Sequence, residues 1–255
     1  MKSLDVRGLR KRFGSVEAVR GVDLDLRPGE TLALVGESGS GKSTIARLVL
    51  QLITPDSGSI ELDGQSLIGL RGDALRAMRR RLQMIFQDPY GSLDPTLSIR
   101  QVLAEPFRVH FRRRPAEDEL DRLMGDVGLS SSLLDRMPHE LSGGQRQRVA
   151  IARALAVQPE FIACDEVVSA LDVSTRAQIL TLLRSLQKTR SLSMLFITHD
   201  LAIVPYIAQR VAVIYRGEIV ERGDVDEIFS RPQHAYTQAL LAAVPVPDPR
   251  LRDAA

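Results

Sequence analysis

The stretch TLALVGESGSGKST, residues 31–44, joins an apolar run to a glycine-rich segment. The run at 31–35 is typical of a strand that is buried on both faces of a sheet. Residues 36–43 match the pattern G-x-x-x-x-G-K-[ST], and a helix-like stretch follows them to about Leu52. A glycine-rich loop between a buried strand and a helix is the context in which this pattern holds phosphate groups. The stretch therefore predicts a phosphate-binding loop in an α/β fold.

The residue types in this loop suit phosphate oxygens. Glycine lets the backbone curl so that its N–H groups face inward, and the N-terminus of the next helix adds positive potential. We expect Lys42 to reach the β- and γ-phosphates of a nucleotide and Ser43 to coordinate Mg²⁺. The alternative is a turn that matches the pattern by chance, which the flanking strand and helix disfavour.

Two adjacent carboxylates, Asp165 and Glu166, follow the apolar run at 161–164. Ligands of open parallel sheets bind at the carboxyl ends of strands, where the phosphate loop also lies. We expect Asp165 to hold Mg²⁺, directly or through water, and Glu166 to polarise the water that attacks the γ-phosphate. The alternative is a pair that only caps the next helix. The neighbouring Cys164 is expected to be a packed, inert thiol.

A second glycine pair occurs in LSGGQ at 141–145, where a helical pattern begins that continues to Leu155. Serine and glycine at a helix N-terminus form another potential anion site. This site could bind a second phosphate of the same chain or serve a nucleotide held by another copy. The spacing alone leaves both possibilities open.

The composition excludes several classes of protein. The chain has 255 residues, of which 44% are hydrophobic and 26% charged, as in soluble globular proteins. A net charge of +2 gives no electrostatic reason to expect a nucleic-acid partner. The single cysteine rules out a disulfide framework, and a cysteine-based metal site is not expected. The sequence shows no secretion signal and no apolar run near the roughly 18 residues that span a bilayer.

The arginine runs at 79–81 and 112–114 are interpreted mainly as solvated faces of the protein. The alternative is that they contact lipid headgroups or the loops of a membrane partner.

Strand patterns alternate with helical patterns along the chain, which predicts a mostly parallel, doubly wound sheet. The first thirty residues read as antiparallel strands. From about 88 to 159 helical spacing predominates, and Pro115 suits the first turn of one of these helices. We expect one domain over 1–255, with a helical subdomain at roughly 88–159 and a C-terminal tail at roughly 224–255.

The chain resembles the ABC ATPase family over nearly its whole length. The resemblance is carried by the phosphate loop, LSGGQ, the Asp165–Glu166 pair, Gln87 after a strand, SALD at 169–172 and FITHD at 196–200. It implies a P-loop NTPase core with a mostly parallel sheet, an N-terminal antiparallel β subdomain and an inserted α-helical subdomain. In this family two nucleotide-binding domains close head to tail, and each ATP lies between the phosphate loop of one and the signature of the other. The resemblance therefore implies that Ser142, Gly143 and Gly144 act on the partner's nucleotide.

The resemblance also assigns roles to single residues. Gln87 would contact Mg²⁺ or the attacking water and connect to the membrane subunits, and His199 would contact the γ-phosphate. Asp172 would face the partner domain. Phe13 would stack on adenine, with a core phenylalanine of the first sheet as the alternative. Catalytic roles thus fall to Glu166, His199 and Gln87, and Mg²⁺ contacts to Ser43, Gln87 and Asp165. The positions assigned to nucleotide are Phe13, Gly36, Glu37, Ser38, Gly39, Ser40, Gly41, Lys42, Ser43, Thr44, Ser142, Gly143, Gly144, Gln145 and Asp172.

Two segments are similar to the importers for oligopeptides, dipeptides and nickel. They are QDPYGSLDP at 87–95 and RPQHAYTQALL at 231–241, the latter with Ala235 where that subfamily usually has proline. Read without the family, the second segment is an amphipathic helix packed on the body. Val167–Val168 replaces the Pro-Thr that most ABC ATPases have after the catalytic glutamate.

The resemblance implies the ATPase subunit of an importer, bound to the cytoplasmic face of the membrane, with ATP and Mg²⁺ as cofactors. Its partners would be two permease subunits, a second ATPase subunit (a paralogue or another copy) and, indirectly, an extracytoplasmic solute-binding protein. We expect no iron–sulfur cluster. The alternative is a soluble ABC ATPase that acts in repair, translation or assembly, and a third reading is a non-hydrolysing regulatory ABC domain. The cargo stays open.

Overall fold

The computed structural model describes residues 4–243 of the chain. The strands are β1 (Leu4–Phe13), β2 (Val16–Leu26), β3 (Thr31–Val35), β4 (Ser57–Leu62), β5 (Gln65–Ser66), β6 (Leu82–Ile85), β7 (Phe161–Asp165), β8 (Ser193–Thr198), β9 (Arg210–Tyr215) and β10 (Glu218–Asp224). The helices are α1 (Lys42–Val49), α2 (Gly72–Arg81), α3 (Pro89–Ser92), α4 (Ile99–Phe111), α5 (Glu117–Asp126), α6 (Gly143–Leu155), α7 (Val173–Arg190), α8 (Val204–Ile207), α9 (Val225–Ser230) and α10 (Ala235–Ala242). Short 3₁₀ turns occupy Ser131–Leu133, Pro138–Glu140 and Leu201–Ile203.

The central sheet is mostly parallel. Within residues 4–243 it has six strands in the order β10-β9-β3-β8-β7-β6, and only the β9–β10 pair is antiparallel. Every residue of β3, β7 and β8 is buried, which explains their continuous apolar runs. The predicted parallel sheet is confirmed.

A second sheet is antiparallel and lies at the N-terminal side of the chain. Its order in the described part is β2-β1-β4-β5. Alternate residues of β1, such as Leu4 and Val6, point into a core that they share with Ile60 of β4 and Ile45 of α1. One face of the sheet is therefore packed, as the alternating pattern of β2 predicts. The expected antiparallel subdomain is confirmed.

The helical block lies between β6 and β7 in the chain. Helices α4 and α5 pack on α6, and α6 also contacts β6. Leu103 of α4, Met124 of α5 and Ile151 of α6 belong to the same core as Val35 and Ile85 of the central sheet. The block is thus packed on the central sheet through one continuous apolar core. Its bounds as a subdomain, and the division of the chain as a whole, stay predictions.

Helix α5 begins later than the sequence analysis predicts. Its first residue is Glu117 and its N-cap is Ala116, so Pro115 precedes the helix instead of lying in its first turn. The Glu119 carboxylate accepts the Ala116 N–H at 2.9 Å and pairs with both terminal nitrogens of Arg113 at 2.6 Å. This capping contact fixes the start of the helix after the proline.

The two arginine runs are not simply solvated. Arg81 donates to Asp63 at 2.5 Å and to Glu160 at 2.7 Å, which ties α2 to the β4–β5 turn and to the start of β7. In the second run, the Arg113 guanidinium lies 5.1 Å from the centre of the Phe107 ring. The prediction of solvated faces is wrong for Arg81, which two carboxylates hold against the body, whereas the Arg113 side chain stays 48% exposed, as predicted.

No helix within residues 4–243 is both long enough and apolar enough to cross a bilayer.

Replacing Arg81 with glutamine should lower the free energy of unfolding by about 1–2 kcal/mol, because it breaks a charge-assisted pair that is three-quarters buried. Urea denaturation of the nucleotide-free chain measures this loss. The matched control is Arg122→Gln, which removes an exposed pair with Asp118 and should cost less than about 0.5 kcal/mol. Equal losses for the two variants would contradict a structural role for Arg81.

Candidate functional site

The glycine-rich loop leaves β3 at Val35 and enters α1 at Lys42, and it is pressed against two neighbouring strands. A Cβ at Gly36 would lie 2.3 Å from the Ile214 carbonyl oxygen. Gly41 has a φ of +110°, and a Cβ there would lie 2.5 Å from the Ala18 carbonyl oxygen. Only glycine fits these two positions, so the sequence pattern reflects the close approach of the loop to β2 and β9.

Lys42 is held inside the loop. Its Nζ donates to the carbonyl oxygens of Gly36 at 2.8 Å and Glu37 at 2.7 Å. The residue is 4% exposed, and this burial lowers the pKa of Lys42, against the opposing effect of the Glu166 and Asp165 charges. The loop thus fixes a cation through two of its own carbonyl oxygens.

Ser43 and Asp165 meet as the sequence analysis expects. The Ser43 hydroxyl donates to Asp165 Oδ1 at 2.9 Å, which joins the first turn of α1 to the end of β7. Asp165 is buried, and burial raises its pKa while the Ser43 hydrogen bond acts in the opposite direction. The two side chains form an oxygen-rich corner beside the loop.

Glu166 lies at the meeting point of three strand ends. Its Oε2 accepts a hydrogen bond from Gln87 Nε2 at 3.1 Å, and the His199 Nδ1 lies 3.2 Å from the same oxygen. Gln87 follows β6, Glu166 follows β7 and His199 follows β8, which are adjacent parallel strands. The structure therefore brings the three candidate catalytic side chains together.

The two valines after Glu166 fit the local backbone. Glu166 has a positive φ of +47°, and its carbonyl oxygen accepts the Ser169 N–H at 3.1 Å and the Ser169 hydroxyl at 2.9 Å. Val167 and Val168 are 2% and 4% exposed and belong to the core. These hydrogen bonds and this packing hold the turn without the usual Pro-Thr.

Cys164 is completely buried, and burial raises the pKa of its thiol to about 12. The prediction of a packed thiol is confirmed, and its inertness stays a prediction.

The LSGGQ segment forms the N-terminus of α6. The Ser142 hydroxyl accepts the Gln145 N–H at 3.2 Å, and the Gln145 side chain accepts the Ser142 N–H at 2.9 Å. Helix α6 packs on α3, α4, α5, α7 and β6, whereas α1 packs on β2, β7 and β8. None of the hydrogen bonds described within 4–243 joins Ser142 or Gln145 to the phosphate loop. The structure thus does not bring the two glycine-rich segments of one chain together.

Asp172 lies beside this segment at the N-cap of α7. It accepts hydrogen bonds from the Ser174 hydroxyl at 2.7 Å and from the Thr175 N–H at 2.9 Å and hydroxyl at 2.8 Å. The hydrogen bonds, led by that of the Thr175 N–H, lower the pKa of Asp172 to about 2. A Cβ at Gly144 would lie 2.5 Å from Thr175 Cγ2, so the starts of α6 and α7 are in close contact.

Phe13 ends β1 with its side chain 49% exposed. The Lys11 ammonium lies 5.6 Å from the centre of its ring. The alternative of a core phenylalanine is therefore wrong.

Sequence reasoning missed Tyr236 of α10, whose hydroxyl contacts the phosphate loop at Glu37. It also missed Arg176, which pairs with Asp200 at 3.1 Å and so links α7 to the segment that carries His199. In the sequence Tyr236 is only one residue of the C-terminal tail, and no local pattern relates it to a loop that lies 199 residues away.

A family model described as "ABC transporter" matches residues 19–169. The chain belongs to the ABC transporter family. A second model, the oligopeptide/dipeptide transporter C-terminal region, matches residues 220–255, of which 244–255 lie outside the described residues. The resemblance noted in the sequence is thereby confirmed, and the chain is a nucleotide-binding ATPase of this family.

Named relatives are similar over most of this chain. Glutathione import ATP-binding protein GsiA of Pectobacterium atrosepticum is 53% identical over 93% of this chain and 38% of its own length. Oligopeptide transport ATP-binding protein OppF of Salmonella typhimurium is 49% identical over 93% of this chain and 72% of its own length. This chain therefore spans well under half of GsiA and about three-quarters of OppF.

A solved structure shares the fold. The dimeric post-hydrolysis state of the ATP-binding cassette MJ0796, bound to ADP and Pi, has a TM-score of 0.78 and 28% identity. The alignment covers 87% of this chain and 98% of that one. The expected P-loop NTPase fold is confirmed.

Replacing Lys42 with alanine should weaken ATP binding by about 10- to 100-fold, because it removes the fixed cation from the loop. Equilibrium binding of a fluorescent ATP analogue to the full chain measures the change. Lys188→Ala, at an exposed lysine of α7, is the matched control and should bind as the wild type does. Unchanged affinity of the Lys42 variant would show that nucleotide binds elsewhere.

Proposed function

We propose that this chain is the ATP-hydrolysing subunit of an ABC importer for peptides or related small solutes. The observation that carries the proposal is the convergence of Gln87, Glu166 and His199 beside a phosphate loop that holds Lys42. Such an arrangement suits an in-line attack of water on the terminal phosphate of ATP.

Glu166 is the residue we propose as general base. Both contacts described for its carboxylate are made to Oε2, by Gln87 and His199, so Oε1 is the oxygen proposed to accept a proton from water. Gln87 and His199 hold the carboxylate in place. The His199 side chain is 56% exposed and is also proposed to contact the γ-phosphate. A positioned general base contributes roughly 10²–10⁴-fold in rate.

The corner formed by Ser43 and Asp165 fits Mg²⁺. A hydroxyl and a buried carboxylate only 2.9 Å apart offer the hard oxygen ligands that this ion prefers. The Gln87 side chain completes the proposed set. When bound, the ion would offset phosphate charge.

A second ATPase domain would complete the site. Ser142, Gly143, Gly144 and Asp172 lie together at the starts of α6 and α7, away from the phosphate loop of the same chain. Val173, beside them, is 82% exposed, an apolar surface that a partner domain would cover. We propose that these residues contact the nucleotide and loops of the partner, which fits either a paralogue or a second copy. Phe13 is proposed to stack on adenine.

The permease subunits would dock in a groove beside Gln87. The groove lies between α2, β6 and α4, and encloses about 480 Å³. Its apolar wall includes Leu52, Leu75, Phe86 and Val109, and its lining has three arginines against one glutamate: Arg76, Arg79, Arg153 and Glu105. These features suit a short amphipathic helix that carries an acidic side chain. The proposed place of the chain is therefore the cytoplasmic face of a membrane, with a solute-binding protein as an indirect partner.

The names of the relatives favour peptides as the cargo, since glutathione is itself a tripeptide. Neither of these two names mentions nickel. Neither those names nor the match at 220–255 supports the soluble alternative in repair, translation or assembly. The net charge of +2 gives no reason to propose a nucleic-acid partner.

The proposal predicts that affinity purification of the chain from its native membranes recovers two multi-spanning proteins and an ATPase subunit. Val109→Asp should abolish the recovery of the two multi-spanning proteins while ATP binding is unchanged, because it puts a carboxylate on the apolar wall that meets an acidic partner helix. Mass spectrometry of the purified material gives the readout.

Tyr206→Asp is the control, since Tyr206 of α8 is exposed to a similar extent and lies outside the groove. It should leave the recovery intact. Recovery of soluble partners only would contradict the proposed importer role. Equal recovery of the multi-spanning proteins with both variants would contradict the proposed docking groove.

A further inference from the structure

Helix α10, near the end of the described chain, reaches the phosphate loop through one side chain. The Glu37 N–H donates to the Tyr236 hydroxyl oxygen at 3.0 Å. Glu37 is the second residue of the loop, and its carbonyl oxygen accepts from Lys42. Tyr236 therefore contacts the backbone N–H of Glu37, the residue whose carbonyl oxygen accepts a hydrogen bond from Lys42.

The ring of Tyr236 is itself fixed. It packs on Tyr215, the last residue of β9, with ring centres 4.2 Å apart and planes tilted by 34°. The His234 Nδ1 caps the helix by accepting the Tyr236 N–H at 3.1 Å. One carboxylate, that of Glu221 in β10, accepts the N–H groups of Gln233 at 2.7 Å and His234 at 3.0 Å. The start of α10 is therefore anchored to the edge of the central sheet.

The β9–β10 hairpin supports the same loop at another point. The Gly217 N–H, in the turn of this hairpin, donates to the Ser40 carbonyl oxygen at 3.0 Å. Tyr236 adds a hydrogen bond near the beginning of the loop, where it leaves β3. A loop that is held at both places loses less conformational freedom when a ligand binds.

We propose that Tyr236 is a positioning residue: its hydroxyl orders the phosphate loop for nucleotide and so makes α10 a support of the ATP site. This inference rests on the proposed role of the loop in holding ATP. It extends the site beyond residues 19–169 into the C-terminal region.

Tyr236→Phe tests the proposal, because it removes the hydroxyl and keeps the ring on Tyr215. One hydrogen bond is lost, so we expect ATP affinity of the full chain to fall about two- to tenfold. Hydrogen exchange at the Glu37 amide should become faster in the nucleotide-free chain, because the amide has lost its acceptor. The thermal midpoint without nucleotide should change no more than in the control.

Tyr206→Phe is the matched control. Its hydroxyl also makes one hydrogen bond, to Thr181 Oγ1 at 2.9 Å, on α7 and α8. This variant should bind ATP as the wild type does and leave exchange at Glu37 unchanged.

Lys42→Ala separates failure of this proposal from failure of the proposed function. If it binds ATP normally, the loop does not hold nucleotide and both proposals fall. If Lys42→Ala loses affinity while Tyr236→Phe keeps full affinity, the positioning role alone is overturned. A lowered thermal midpoint for Tyr236→Phe with unchanged affinity would likewise overturn it, since Tyr236 would then act on stability only.

Discussion

The parallel register of β3, β8, β7 and β6 is the constraint on which the candidate site depends. Because these strands run in one direction, their carboxyl ends lie along one edge of the sheet. The ends of these strands and the segments that follow them supply the phosphate loop, His199, the Asp165–Glu166 pair and Gln87. Ser43, Gln87 and His199, which lie far apart in the chain, thereby come within hydrogen-bond distance of the Asp165–Glu166 pair.

Local patterns predicted much of this arrangement. A continuous apolar run identified β3 and β7, and the glycine spacing of the loop reflects close contacts with β2 and β9 that exclude a Cβ. The acidic pair was found because it ends a buried strand. The backbone turn at Glu166 also tolerates Val167–Val168, since hydrogen bonds to Ser169 and burial of the valines hold it.

Contacts between side chains distant in sequence could not be predicted. Arg81 reads as one charge in a run, yet Asp63 and Glu160 hold it in a three-way contact. Tyr236 reads as a tail residue, and only the folded sheet places its hydroxyl at the loop. Spacing also left open whether the LSGGQ segment contacts the nucleotide of the same chain or that of a partner. Helix α6, which this segment begins, packs on α7, away from α1, and this favours the partner's nucleotide. These features depend on tertiary packing, which periodicity does not encode.

The most direct test of this site is single-turnover ATP hydrolysis by the assembled membrane complex that carries Glu166→Gln. The variant should still bind ATP, because Lys42 and the loop are unchanged, and should hydrolyse it roughly 10²–10⁴-fold more slowly. Glu218→Gln, at an exposed carboxylate of β10, provides the control and should hydrolyse ATP at the wild-type rate. Hydrolysis by the Glu166 variant at the wild-type rate would contradict the assignment of Glu166, at the carboxyl end of β7, as the general base.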